Sequence, residues 1–286
     1  MISTIVIGLS IAMLLFLLAS GLTLIFGLLG VINFAHGALY MMGAFVGWQL
    51  VAWTGSFWLA LAAAPLAVAV IGLAMELLLR PLYARDHVFQ LLLTFGAILV
   101  LEETVRLVWG LDYKSVAAPP FLAGAVTVGG SEVASYRLFV IALGLAVAGA
   151  LFLTIERTTL GMVLRAADSN PAMVRCLGIR VSRLRTLVFA LGTALAALGG
   201  AVAAPLLPVQ VGMGFTIIID CFMVVIIGGL GNIRGAVAAA LLLGMVQAFG
   251  QRYLPDWIAV MTYGVLILVL FLRPQGLFNL NRERTA

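Results

Sequence analysis

The sequence predicts an all-α, polytopic transmembrane helical bundle with about eight to nine spans and room for one re-entrant or broken segment. Of its 286 residues, 64% are apolar and only 9% are charged, whereas about 25% of residues are charged in ordinary soluble domains. Such a chain lacks the polar residues to cover a water-exposed surface, so lipid must be its main solvent. We expect one transmembrane domain over residues 1–286, with no separate soluble domain.

Nine apolar stretches supply the predicted crossings, since a helix needs about 20 mostly apolar residues to cross a hydrocarbon core of roughly 30 Å. They lie at 1–29, 35–53, 57–79, 88–109, 137–155, 186–206, 215–231, 235–250 and 257–272. The segment 215–250 leaves an alternative open, because a re-entrant hairpin there would leave seven crossings. No Lys or Arg precedes Arg80, so we expect no cleaved signal segment.

Basic residues predict the orientation of the bundle, because Lys and Arg are retained on the cytoplasmic side of a membrane. The loop 156–185 is rich in arginine, and we assign it to the cytoplasm. Counting crossings outward from this loop places all but four of the 16 Lys and Arg residues on the same side. The exceptions are Arg106, Lys114, Arg137 and Arg252. This orientation predicts an external N-terminus and a cytoplasmic C-terminus.

Capping residues predict a short helix inside the cytoplasmic loop. Asn170 suits the N-cap, Pro171 the first helical position and Gly178 the position just past the helix end. Ser182 is placed to cap the transmembrane helix that follows. A two-turn helix is marginally stable in water on its own, so we expect this one to dock on a partner.

The sequence leaves two partners open for this short helix. It either fits a groove on a cytosolic ATPase or lies as an amphipathic segment on anionic lipid. The residues that we expect to make the contact are Asn170, Pro171, Met173, Val174, Arg175, Leu177 and Gly178.

Polar and glycine residues inside the apolar stretches are candidates for a hydrated pathway, since ionisable groups within a bilayer are costly and usually functional. Asp220 has no basic neighbour in sequence and needs a partner from another helix or from water. Asn33 and His36 lie where two apolar stretches meet, and the alternative for them is a helix cap and an interfacial position. The candidate set is Asn33, His36, Gly37, Asp220, Gly228 and Gly231.

Two glycine-rich segments share the pattern G-x-L-G-x-I, at 27–32 and at 228–233. Related segments of this kind in the two halves of a transporter mark broken helices that line a pathway. The match therefore predicts an internal repeat in which these two segments correspond.

The remaining charged residues predict structure rather than chemistry. Glu76 with Arg80, and Glu102 with Arg106, have the i,i+4 spacing of ion pairs on one helix face. Lys114 is the only lysine and follows no glycine-rich loop, so a phosphate-binding loop is excluded and any ATP must be hydrolysed by another chain. His, Asp and Glu show no metal-ligand spacing, and we expect no cofactor, metal or catalytic residue.

Several motifs occur in a fixed order along the chain: GLTLIFG and INFAHG within 21–37, RAAD and LGI within 165–179, GGLGNI at 228–233 and RPQGLF at 273–278. These segments resemble the LivH-type permease subunits of branched-chain amino acid ABC importers. Their order and spacing agree with that family over essentially the whole chain. The implied substrate is Leu, Ile, Val or a related small amino acid, amide or urea. The sequence departs from many relatives at Ala38, Asp220 and Arg234, and these departures leave the choice among those substrates open.

The resemblance implies a non-catalytic permease subunit of a bacterial inner membrane that forms half of a translocation pathway. The implied partners are a second, LivM-like permease, two cytosolic ATPase subunits, a periplasmic substrate-binding protein and the lipid bilayer, with no nucleic acid. It also favours ATPase docking for the helix at 169–178. The alternative from another class is an ion- or proton-coupled secondary transporter or channel, which would use an intramembrane Asp and His.

Overall fold

A computed structural model describes residues 1–83 and 85–278 of the chain. Within these ranges the fold is predominantly helical, as the sequence predicts. The helices are α1 (Ile2–Leu29), α2 (His36–Thr54), α3 (Phe57–Leu79), α4 (His87–Trp109), α5 (Ser135–Arg157), α6 (Thr159–Ser169), α7 (Pro171–Cys176), α8 (Val181–Ala203), α9 (Met213–Gly228), α10 (Ile233–Tyr253) and α11 (Ile258–Leu272). Two of the arginines used to predict the orientation, Arg282 and Arg284, lie outside the described residues.

Seven helices in the described part of the chain are long and apolar enough to cross a membrane. They are α1, α3, α4, α5, α8, α10 and α11. Helix α9 is apolar but has only 16 residues, and α2 begins at an ionisable residue, His36. The sequence predicts full crossings at both positions, 35–53 and 215–231, and leaves room for one broken segment, whereas the structure has two helices of this kind.

Charge distinguishes the two ends of the bundle. We call the end at which α1, α3 and α5 finish and α8 begins the arginine-rich end. Arg80, Arg157 and Arg234 lie there, together with α6 and α7. The end at which α1 begins is called the opposite end.

Helix α2 begins near the middle of the bundle. The Nε2 atom of its first residue, His36, lies 2.9 Å from the carbonyl oxygen of Leu18. Helix α1 runs on from Leu18 to Leu29, about 16 Å at 1.5 Å per residue. The chain reverses direction at Gly30, whose φ of 64° is one that glycine adopts without strain. Residues 30–35 then lead the chain back over the same distance.

Helix α9 begins at the same depth as α2. Their first turns cross in backbone contact, with Gly37 facing Gly214. Helix α9 then runs to the arginine-rich end, since Gly231, just beyond it, packs against Gly27 near the end of α1. The segment 215–250 therefore reaches the arginine-rich end and returns, so the alternative of a hairpin entering from outside is wrong.

The segments α1–α4 and α8–α11 repeat the same order of elements in opposite directions. Each has a long helix, a non-helical return segment (30–35 or 204–212) and a helix that starts at mid-depth. The contacts repeat too, since α1 packs on α10 while α8 packs on α3. Such inverted repeats are a common architecture of transporters.

The internal repeat predicted from the G-x-L-G-x-I motif is wrong in its alignment. The first motif leads into the return segment after α1, whereas the second forms the turn between α9 and α10. The structural counterpart of 30–35 is 204–212, which lacks the motif. The two motifs share small residues because they pack on one another, with the backbone of Gly231 against Gly27.

Helix α8 lies at the centre of the bundle and packs on α1, α2 and α3. The contacts are Gly192 with Gly21 of α1, Ala197 with Gly43 of α2 and Thr193 with Gly72 of α3. Apolar burial gives little attraction between helices in lipid, so close packing at small residues must supply it. The Gly and Ala spacing on α8 is therefore what brings these three helices together.

Polar residues of α1 hold two arginines near the opposite end. Arg137 donates a hydrogen bond to the Oγ atom of Ser10 at 2.8 Å, and Arg252 donates one to the Oγ1 atom of Thr4 at 2.8 Å. Two of the four basic residues that the sequence places away from the arginine-rich loop thus gain a partner on the first helix.

The loop 110–134 covers the return segment that leads to α9. Lys114 exchanges two backbone hydrogen bonds with Val209, each of 2.9 Å. Its ammonium group lies 5.3 Å from the ring centroid of Trp48, within the range of a cation–π contact. The only lysine of the sequence therefore stabilises a loop contact.

The same loop contains a β-hairpin that the sequence analysis missed. Strands β1 (Ala125–Val128) and β2 (Ser131–Ala134) pair antiparallel around Gly129 and Gly130. Both glycines have positive φ, 55° and 79°, as a tight two-residue hairpin turn requires. The signal was present as a Gly-Gly pair between alternating residues, but the apolar composition of the chain drew attention to helices.

One of the two predicted ion pairs forms. The Nη2 atom of Arg80 lies 2.8 Å from Oε2 of Glu76. Arg106 pairs instead with Glu103, at 3.5 Å, so the predicted pairing with Glu102 is wrong. Glu102 turns toward Gly212 at the start of α9.

Candidate functional site

Three polar side chains of α1, the return segment 30–35 and α2 are buried inside the bundle. Thr23 is 1% exposed, and Asn33 and His36 are 0% exposed. Thr23 Oγ1, Asn33 Nδ2 and His36 Nδ1 have no hydrogen-bond partner among the described residues. Because an unsatisfied buried polar group costs about 1–3 kcal/mol, these atoms are candidates for contact with water or with a transported molecule.

The sequence analysis offered a helix cap for Asn33 and an interfacial position for His36 as alternatives, and the structure agrees with them only in part. The Oδ1 atom of Asn33 accepts a hydrogen bond of 3.1 Å from the backbone N–H of Ala35, so Asn33 does organise the start of α2. It does so in the interior, however, and His36 is fully buried instead of meeting water at an interface. The sequence analysis missed Thr23, because a single threonine in an apolar helix commonly bonds to its own backbone.

Helices α2 and α9 cross in close contact just after His36. Gly37 and Gly214 are both buried, and each backbone lies where a side chain on the other would have to go. Two helix N-termini, with their partial positive charge, are thereby held next to each other. Gly37, a predicted pathway residue, serves here as a point of close backbone contact.

Asp220 lies on α9 and is partly buried. The side chain of Gln247, on α10, lies within hydrogen-bonding reach of its carboxyl group. The partner that the sequence analysis required from another helix is therefore an amide.

Gly228 and Gly231 lie apart from the mid-depth residues, at the arginine-rich end. Gly228 packs against Gly235 at the start of α10. Gly231 lines a groove of about 770 Å³ between the end of α1, α5 with α6, and the turn between α9 and α10. The structure therefore divides the predicted pathway set into a mid-depth group and a group at one end.

An ion pair spans this groove between Glu156 on α5 and Arg234 on α10, at 3.1 Å. The guanidinium of Arg234 also lies 5.1 Å from the ring centroid of Phe152. Both charged side chains are more than a third exposed, so the pair is worth about 1 kcal/mol or less. Sequence reasoning missed it because residues far apart in the chain leave no periodic signal.

Helix α7 has the capping pattern that the sequence predicts. Pro171 is its first residue, and the Oδ1 atom of Asn170 accepts a hydrogen bond of 3.0 Å from the backbone N–H of Met173. Gly178, just past the helix, has a φ of 79°. The predicted cap on the next helix is wrong, since α8 begins at Val181 and has no side-chain cap.

The apolar residues of α7 divide between two faces. Val174 is 3% exposed and packs with Leu28 of α1, Ala167 of α6, and Val181 and Val188 of α8. Because Val174 is buried, it is unavailable to a partner, contrary to the sequence analysis. Met173 and Leu177 are 59% and 69% exposed, so α7 is anchored on one side and presents apolar residues on the other.

Thiol labelling would test whether the mid-depth residues face water. In a background with Cys176→Ser and Cys221→Ser, we expect His36→Cys and Asp220→Cys to react with a membrane-impermeant thiol reagent in at least one transport state. Ile219→Cys, its neighbour on α9, is the matched control and should stay unreactive if it faces lipid. Complete protection of both test positions in every state would contradict a hydrated pathway at these residues.

The sequence of this chain is similar to those of known permease proteins. Residues 4–270 match the family model described as branched-chain amino acid transport system / permease component. The high-affinity branched-chain amino acid transport system permease protein BraD of Pseudomonas aeruginosa is 35% identical, over 92% of this chain and 91% of that protein. The corresponding protein LivH of Escherichia coli is 29% identical, over 92% of this chain and 90% of its own length.

Two further comparisons extend the similarity. The probable branched-chain amino acid transport permease protein LivM of Methanocaldococcus jannaschii is 28% identical, over 64% of this chain and 56% of that protein. Among solved structures, a chain of PsaBC from Streptococcus pneumoniae in complex with Fab has a TM-score of 0.54 at 11% identity, covering 94% of this chain and 91% of that chain. At this identity the likeness concerns the fold alone.

Proposed function

The chain belongs to the family of branched-chain amino acid transport system permease components, and from that membership we propose that it forms half of the pathway by which Leu, Ile, Val or a related small amino acid, amide or urea crosses a bacterial inner membrane. In this proposal the chain hydrolyses nothing itself. Residues 1–286 form one transmembrane permease domain, and the loop 156–185 receives work from ATP hydrolysed by two cytosolic ATPase subunits.

The observation that carries the coupling role is that α7 is buried on one side and exposed on the other. Its inner residue, Val174, packs on α1 and α8, the helices at the centre of the bundle. Its outer residues, Met173 and Leu177, are exposed apolar side chains on a helix with few internal hydrogen bonds. A force applied to the outer face would reach α1 and α8 directly, which is what coupling to an ATPase requires.

The arginine distribution supports the proposed orientation. Lys and Arg favour the cytoplasmic side, so we place the arginine-rich end there and the opposite end in the periplasm. The N-terminus is then periplasmic and the C-terminus cytoplasmic. This orientation presents α7 to the ATPase subunits and the loop 110–134 to a periplasmic substrate-binding protein.

The mid-depth group supports a pathway role. Thr23, Asn33 and His36 leave unpaired polar atoms inside the bundle, and His36 lies at the start of α2. Substrate contacts at such broken helices are common in transporters. The second half of the pathway would come from a second, LivM-like permease. Selection among substrates falls largely to the binding protein.

The experiment that tests this function is isolation of the complex followed by transport. Purification from mild detergent should recover ATPase subunits and a second permease, and proteoliposomes of that complex should import labelled leucine only with ATP and the binding protein. Leucine uptake driven by an ion gradient without ATP would instead support the alternative, an ion- or proton-coupled secondary transporter that uses Asp220 and His36.

A further inference from the structure

A second pocket lies at the arginine-rich end and shares no lining residue with the groove. It has a volume of about 450 Å³ and lies between the end of α3, α7 and the start of α8. Arg80, Tyr83, Arg175 and Arg185 line it, with Glu76 as the acidic residue. Neither the family comparison nor the proposed pathway assigns a role to this pocket.

The charges in the pocket are not balanced by the chain. Glu76 is paired with Arg80, and Thr186 joins the pair by donating to Oε2 of Glu76 at 3.1 Å and accepting from Nη2 of Arg80 at 2.9 Å. Arg175 and Arg185 form no ion pair within residues 1–83 and 85–278. Two positive charges are therefore left facing the same space.

A buried polar atom in the pocket lacks a partner as well. The Nε atom of Arg185 is inaccessible to solvent and makes no hydrogen bond to the described part of the chain. The hydroxyl of Tyr83 is also inaccessible, and its neighbour is the carboxyl group of Glu76. The Arg185 guanidinium lies 5.3 Å from the centroid of the Tyr83 ring, which holds the two groups together. Burial raises the pKa of the Tyr83 phenol, and the neighbouring carboxyl group of Glu76 raises it further.

The start of α8 adds a third favourable element for an anion. Val181 and Ser182, its first two residues, line the pocket, and no side chain caps this end of the helix. The N-terminus of a helix carries a partial positive charge and free N–H groups that bind phosphate and carboxylate. The arginines and the helix end are all donors, so the missing ligand is an acceptor with negative charge.

Apolar residues beside the pocket distinguish a lipid from a small soluble anion. Leu77 and Leu78, just before Arg80 on α3, are 59% and 63% exposed, and Leu187 follows Arg185 on α8 at 43%. In a membrane these side chains face acyl chains. A ligand whose charged group fills the pocket would therefore find an apolar surface for its chains directly next to it.

We propose that this pocket binds the phosphate headgroup of an anionic lipid from the leaflet at the arginine-rich end. Basic pockets between transmembrane helices on the cytoplasmic side are a known mode of headgroup recognition. Because Arg175 belongs to α7 while Arg185 belongs to α8, a bound headgroup would tie the short helix to the bundle by charge, in addition to the packing of Val174.

Native mass spectrometry of the detergent-purified protein, with its co-purifying subunits, tests the proposal. Added phosphatidylglycerol should bind in preference to phosphatidylethanolamine. We expect Arg185→Gln and Arg175→Gln each to weaken phosphatidylglycerol binding about fivefold, the effect of one lost charge contact of about 1 kcal/mol. Arg183→Gln is the matched control, because Arg183 is exposed on the same helix and does not line the pocket.

The other outcomes overturn the proposal. Equal loss of binding in Arg183→Gln would mean non-specific attraction to a basic surface. Displacement of the lipid by millimolar inorganic phosphate would assign the pocket to a soluble anion. Thermal unfolding of each variant checks folding, and Arg175→Gln, on the exposed side of α7, keeps the test decisive if Arg185→Gln is unstable.

Discussion

Leu177→Asp is expected to abolish substrate uptake while the protein remains inserted and folded. Leu177 is 69% exposed at the end of α7, so an aspartate there meets water in the isolated chain and costs little. In the proposed complex the same position is buried against an ATPase subunit, and an unpaired buried charge is strongly unfavourable. Substitution of a central interface residue typically lowers the binding free energy by about 2 kcal/mol or more, which is about 30-fold in affinity.

The measurement is ATP hydrolysis and leucine uptake by the same proteoliposomes. Met173→Asp should behave like Leu177→Asp, because Met173 is exposed on the same helix. Leu177→Met preserves an apolar side chain of similar size and is the control that should retain uptake. Val174→Asp should differ, since it places a charge in the packed contact with α1 and α8 and should lower thermal stability itself. Normal uptake by both exposed-site variants would rule out docking through this face.

Gly37→Val is expected to prevent stable folding of the bundle. A Cβ atom at Gly37 would collide with the backbone of Gly214, and the side chain of Ile218 is also within 3 Å. Overpacking commonly costs about 1–3 kcal/mol where side chains can move, and a backbone in a helix cannot move away as they do. We therefore expect Gly37→Val to lower the free energy of unfolding by about 3 kcal/mol or more.

Gly96→Val on α4 is the matched control for that substitution. It replaces glycine by the same residue within a helix, but among the described residues nothing beyond the adjoining turns of its own helix lies within 4 Å of its Cβ position. The difference between the two variants in detergent thermal unfolding isolates the collision from the change in helix propensity. Equal unfolding temperatures would mean that α2 and α9 do not cross in contact in the folded protein.

Features that depend on local chemistry could be predicted from the sequence. The apolar stretches become helices because each must satisfy its own backbone hydrogen bonds in lipid. Helix α7 begins and ends as expected because Asn170, Pro171 and Gly178 act on neighbouring backbone groups. The pair of Glu76 with Arg80 forms for the same reason, as it needs only one turn of helix.

Features that depend on which helix lies beside which could not be predicted in this way. The sequence suggested that Val174 is a contact for a partner, but α1 and α8 bury it. It suggested a repeat through shared glycine motifs, but those glycines are alike because they pack on each other. The pocket of Arg175 and Arg185 joins residues of two helices that pack together through Val174, Val181 and Val188.

The sequence by itself determined that this protein resides in a membrane, which end is rich in arginine and where the short helix α7 begins. Composition, charge and capping are properties of single residues and of their near neighbours, so they can be read without a fold. The tertiary structure alone decided that α2 and α9 start at mid-depth, that Thr23, Asn33 and His36 are left with unpaired polar atoms, and that α7 is packed on its Val174 side. Those features arise from close contacts between helices distant in sequence, and backbone approach at residues such as Gly37 and Gly214 carries no local signal.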